Sequence, residues 1–147
     1  MGAERDDLGT FGAVLRFAIQ EEEEAGRFYQ EAATQAASSP AARTFEEMAE
    51  EHRVARGTLE RLRREEVAEM ILEPIRGLSA TSYHTPSTAG RVAGQLQSLA
   101  AAREEDLRRF YADAGLKLAF LPQVRRALQR LAQGAEARLS RLGHNPG

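Results

Sequence analysis

AIQEEEEAGRFYQEAA, residues 18–33, is the stretch that decides the fold. Successive residues on an α-helix stand about 100° apart, so four glutamates in a row cover every side of it. At least one must turn away from water. The apolar neighbours select Glu22, which lies on the line from Ala18 through Ala25 to Tyr29 at spacings of three and four. By the same geometry Glu21, Glu23 and Glu24 are on or toward solvent. An unpartnered buried carboxylate costs several kcal/mol or a large pKa shift. The core that receives Glu22 must therefore hold a cation, a hydrogen-bond donor or a metal.

Working outward, the same periodicity covers almost the whole chain and no stretch alternates as a strand does. It predicts four long helices, at about 10–37, 40–72, 87–114 and 122–142 of a single domain spanning 1–147. Thr10 can cap the first, whose stripe is Phe11, Val14, Leu15, Ala18, Glu22, Ala25, Tyr29 and Ala32. Ser39 and Pro40 open the second, with Phe45, Met48, Ala49, His52, Ala55, Leu59, Leu62 and Met70 inward. The third carries Leu96, Ala100, Glu104, Leu107 and Tyr111, and Gly115 is expected to close it. The fourth carries Val124, Leu128, Leu131, Ala135, Arg138, Leu139 and Leu142, with Gly143 beyond its end. Helices one and two, and three and four, are joined by short links and form antiparallel hairpins. Between the hairpins runs EPIRGLSATSYHTPSTAG, rich in Pro, Gly, Ser and Thr and long enough to travel the length of a bundle. The expectation is all-α: a four-helix bundle with one long crossover.

The hairpins repeat one another. EEEAGRFY at 22–29 aligns with EEDLRRFY at 104–111, and Pro40 falls on Pro122 at the same offset. After one extra residue Phe45 falls on Leu128, Ala49 on Ala132 and Leu59 on Leu142. Two such hairpins about a pseudo-twofold axis set Glu22 and Glu104 opposite each other.

Composition narrows the chemistry. With 20 basic and 22 acidic residues interspersed, nothing suggests a nucleic-acid or membrane surface as partner. There is no cysteine, which removes disulfides, iron–sulfur clusters and thiol catalysis. The longest uncharged run, Gly77–Gly90, is polar and only 14 residues long, too short for a transmembrane span. MGAERDD at the start is acidic and offers no apolar signal region, so a cytoplasmic location is the expectation.

AIQEEEEAGRFY, FEEMAEEH and AAREEDLRRFY together make the chain resemble the ferritin-like superfamily, and within it the rubrerythrin-like proteins, over nearly its whole length. That resemblance implies a di-iron centre inside the bundle, with one glutamate from each of two helices and a Glu-x-x-His pair from each of the others. Carboxylates with histidines suit iron or manganese better than magnesium. Glu22 and Glu104 match the single-glutamate positions. The paired positions hold His52 and Ala55 in helix two, and Ala135 and Arg138 in helix four. Glu51 adjoins His52 but points about 100° away from it. The rubredoxin-like iron module of full rubrerythrins, which needs cysteines, has no counterpart here.

Two outcomes remain open for the core. In one, Glu22, His52 and Glu104, with Glu51 nearby, bind one metal, iron or another divalent ion, weakly. In the other the di-iron site is eroded: Arg138 replaces the metal, its guanidinium forking between Glu22 and Glu104, with His52 as a further donor and no cofactor. The ligand count favours the second. Tyr29 and Tyr111 flank the carboxylates as possible hydrogen-bond donors. The first outcome leads toward an iron-dependent oxidoreductase, a peroxidase or oxidase resembling rubrerythrin whose electron donor is unknown. The second leads toward a non-catalytic bundle scaffold. A homodimer is expected from the small and apolar start of helix three, including Leu96 and Leu99. His84, beside Tyr83 in the crossover, reads as an ordinary loop histidine.

Overall fold

The computed structural model describes residues 7–37, 39–66, 75–84 and 95–143. They form α1 (Phe11–Gln35), α2 (Pro40–Glu66), a 3-10 turn (Ala80–Ser82), α3 (Leu96–Lys117) and α4 (Pro122–Arg141). Among the described residues there is no strand, only an isolated bridge between Asp7 and Ser79. This is the all-α ferritin-like four-helix bundle: α1 packs along α2 and α3 along α4, and the hairpins meet through α1 against α3 and α2 against α4.

The ends follow from local chemistry. Thr10 is extended and its hydroxyl accepts from the Ala13 amide at 3.0 Å, capping α1. Pro122 starts α4, where its missing N–H costs nothing. Gly143 follows the Leu142 C-cap with a φ of 79°, a left-handed conformation that suits glycine. Gly115 does not close α3 as expected. It lies inside the helix, buried against α4, where a Cβ would make an ordinary van der Waals contact with Leu128 at 3.7 Å. The helix runs on to a C-cap at Leu118. The expected extension of the second helix to Leu72, with Met70 on its stripe, and the expected start of the third at 87 lie outside the described residues.

Apart from Ala49 and Leu131, which are only partly buried, the described residues of the stripes are buried. Two apolar clusters result. The larger contains Phe11, Leu15, Leu59, Phe110, Leu118 and Leu128. The smaller contains Phe28, Phe45, Met48, Leu96, Ala100 and Leu142. The crossover contributes Ile75, Leu78 and Tyr83 to the larger, and the Tyr83 hydroxyl donates to Asp113 at 2.7 Å. Fully buried among these apolar residues is a layer of charge.

Candidate functional site

α1 supplies Glu22 and Tyr29, α2 His52, α3 Glu104 and Tyr111, and α4 Arg138. Glu22, His52 and Glu104 are at most 1% exposed, and Arg138 is 5% exposed. His52 lies between the carboxylates. Its Nδ1 is 2.5 Å from Glu22 Oε1 and its Nε2 is 2.7 Å from Glu104 Oε2. An ionised carboxylate only accepts, so both ring nitrogens carry hydrogen and the ring is an imidazolium. Burial by itself pulls the His52 pKa down. The charges of Glu104 and Glu22 and their hydrogen bonds outweigh it and raise the value to about 9. The ring also stacks on Tyr29, with centroids 5.3 Å apart and planes 10° from parallel.

The remaining carboxylate oxygens are also taken. Arg138 Nε donates to Glu104 Oε1 at 2.8 Å. The Tyr29 hydroxyl donates to Glu104 Oε2 at 2.6 Å, and the Tyr111 hydroxyl donates to Glu22 Oε2. Burial raises the Glu104 pKa, but the His52 and Arg138 charges and the hydrogen bonds prevail and hold it at about 2. Burial and the adjacent carboxylates push both tyrosine hydroxyls well above their ordinary value, so they stay protonated as donors. Two carboxylates, one imidazolium and one guanidinium sum to no net charge, the condition under which a buried ionic layer is tolerated.

The anticipated Arg138 fork does not form. Arg138 bonds Glu104, and its Nη1 reaches Glu51 at 3.3 Å rather than Glu22. The reason is connectivity: α4 is the hairpin partner of α3, so Arg138 meets Glu104 from the side, while His52 on α2 points between the glutamates. Glu51 is half-buried at the edge, held also by Arg141 at 2.5 Å. A groove of about 770 Å³ along α1 and α2 reaches the cluster at Glu22, with Gly26 and Ala49 also in its lining.

Glu21 was expected on or toward solvent and is instead 4% exposed. The crossover covers it: His84 Nδ1 lies 2.9 Å from Glu21 Oε2. Burial raises the Glu21 pKa, and the His84 contact only partly offsets this. Helical spacing carried no signal for this, because the covering residue comes from a loop 63 positions away.

Fold and site together define a ferritin-like bundle with a carboxylate core. More narrowly, the family model for rubrerythrin matches residues 13–138, and the chain belongs to the rubrerythrin family. Among curated proteins and solved structures none matches it. The family implies a ferritin-like di-iron protein, and the donors can be tested against that. In ferritin-like bundles a metal pair is held by a single glutamate from each of two helices and a Glu-x-x-His pair from each of the other two. The corresponding positions are His52 and Ala55 on α2, and Ala135 and Arg138 on α4, so neither pair is present. A guanidinium on Glu104 Oε1 and an imidazolium between the glutamates already occupy the carboxylate oxygens. The residues present do not fit two metals.

Proposed function

We propose that this chain is a rubrerythrin-family bundle with an eroded di-iron site, in which protonated His52 and Arg138 do the electrostatic work of the two cations. The observation that carries this is the double contact of His52, through both ring nitrogens, with Glu22 and Glu104. Its role is then that of a bundle scaffold rather than a two-electron peroxidase, for which neither Glu-x-x-His pair is in place. One weakly held divalent metal at Glu22, His52 and Glu104, with Glu51 adjacent, is the second reading. What favours it is the convergence of both carboxylates on one imidazole. Such an ion must displace a proton from His52 and sit beside Arg138, and both weaken it. The rubrerythrin-like peroxidase or oxidase is the remaining alternative and requires iron in this core.

A homodimer and a soluble, cytoplasmic existence belong to the same proposal. Leu96 is buried in the smaller apolar cluster and Leu99 packs against it, so neither supports pairing. Leu116, 77% exposed, and Phe120, 45% exposed, at the α3–α4 turn are the better support. Among the described residues no helix is long and apolar enough to cross a membrane.

Elemental analysis of protein purified without added metal tests the core, with a restored variant as its control. The parent is expected to carry well under one core metal per chain. The combination His52→Glu, Ala55→His, Ala135→Glu and Arg138→His rebuilds both pairs and is expected to bind two. A parent that carries two irons and turns over peroxide overturns the proposal.

A further inference from the structure

The seam between α2 and α4 has two ends of different electrostatic character. The helices run antiparallel along it, since Glu47 pairs with Arg141 at 3.6 Å and Glu51 with Arg138 at 3.3 Å. At that end arginines of α4 meet glutamates of α2. The same register carried from Glu51 to Arg61 on α2 reaches Leu128 on α4, and Arg126 and Arg130 flank it one turn apart on a single face. Like charges therefore face each other where the first end has opposite ones.

Exposed arginines can swing into water, so repulsion alone makes no site. Here Arg61, Arg126 and Arg130 line one cavity of about 280 Å³, together with Gln123 and Glu65. Leu62 and Ala127, both buried, supply its apolar part. Low-dielectric walls strengthen the field of the charges above them. Among the described residues of the lining Glu65 is the one acid, and three arginines less one glutamate leave two positive charges. The cavity opens beside the start of α4, whose first turn holds no acidic residue and whose second residue is Gln123. The helix dipole favours an anion there.

We infer that this cavity binds the phosphoryl group of a small phosphate-bearing ligand, held by Arg61 from α2 and by Arg126 and Arg130 from α4. A guanidinium presents paired N–H donors that match two phosphoryl oxygens. A phosphomonoester carries close to two negative charges near neutral pH, and these cancel the two positive charges of the lining. A single carboxylate leaves one of them uncancelled. The Gln123 amide is a further donor in the wall. Ligand pockets run from roughly 300 to 1,000 Å³, so this one suits a compact ligand body. The site shares no residue with the core cluster and is independent of how the core is neutralised.

Calorimetric titration of the full chain with inorganic phosphate and with glycerol phosphate tests this, at slightly alkaline pH and low ionic strength. One equivalent of each is expected to bind, and acetate at the same concentration is expected not to. Arg61→Gln, Arg126→Gln and Arg130→Gln, all at exposed positions, are each expected to weaken binding about tenfold. The triple variant is expected to abolish it, with a melting curve no lower than the parent's. Arg43→Gln removes the same charge from an exposed position at the far end of α2 and is expected to change nothing. A parent that binds neither phosphate overturns the inference, as does an equivalent that survives in the triple variant. Acetate binding as tightly as phosphate overturns the phosphoryl assignment. Inorganic phosphate binding without glycerol phosphate overturns the assignment of a phosphate-bearing ligand. A loss in Arg43→Gln equal to that of the cavity variants shows diffuse attraction and no site.

Discussion

The two hairpins are built on one pattern and differ at one layer. In α1–α2 and in α3–α4 a glutamate on the first helix stands seven residues before a tyrosine. The tyrosines cross over: Tyr29 donates to Glu104 and Tyr111 to Glu22. That reciprocity is the pseudo-twofold axis expressed in hydrogen bonds. The second helices break it. Where α2 has His52 and Ala55, α4 has Ala135 and Arg138 at the equivalent positions. Each hairpin thus contributes one cationic side chain, but from a different position of the motif. The central one bridges both glutamates and the lateral one serves Glu104 alone. A symmetric frame accepts asymmetric charge because only the total must cancel in a buried layer.

The largest effect is expected at the bridge. His52→Leu leaves Glu22 and Glu104 facing each other without a shared cation. Loss of one partner from a buried ionic group typically costs about 3–5 kcal/mol, and the central position belongs at the upper end. Denaturant unfolding near neutral pH measures it, and a parent-like midpoint breaks the assignment of His52 as the bridge. The parent supplies a companion test. His52, raised from 6.5 to about 9, gives stability that is complete below the unfolded value and lost as pH rises through about 9. Glu104, lowered from 4.5 to about 2, gives stability present above 4.5 and lost as pH falls through about 2. Melting temperature against pH should therefore plateau between those windows and fall on both sides.

Arg138→Leu comes next, at about 3 kcal/mol, because Glu104 keeps His52 and Tyr29 when the guanidinium goes. Its penalty should shrink at low pH as Glu104 becomes protonated. If this variant melts like the parent while a chelator destabilises the parent, a metal and not Arg138 balances the core.

Tyr29→Phe and Tyr111→Phe sharpen the symmetry itself. Each removes one hydrogen bond to a charged carboxylate, worth about 1.5–3 kcal/mol, and the two losses should be alike. A large inequality shows that the axis relates shapes but not energies. Tyr29 is the candidate for the larger loss, since it also stacks on His52. The smallest effect belongs to Glu51→Gln at the half-exposed rim, under about 1 kcal/mol, read from the same unfolding curves.

The sequence alone determined the helices, their inward stripes, the pairing into hairpins and the confrontation of Glu22 with Glu104. Those features rest on local spacing and an internal repeat, and both are properties of the chain order. Which cation meets which carboxylate was decided only by the tertiary structure. Helical phase says that His52 and Arg138 point inward; it does not say that α2 aims its side chain between the glutamates while α4 approaches Glu104 from its flank. Glu21 makes the same point from outside the bundle. Its burial depends on a crossover that lays His84 over α1, a contact between segments 63 residues apart. Gly115 has the form of a helix stop in one dimension and acts as a contact surface for Leu128 in three. Periodicity fixes the side of a helix on which a residue lies, and only packing fixes what it meets there.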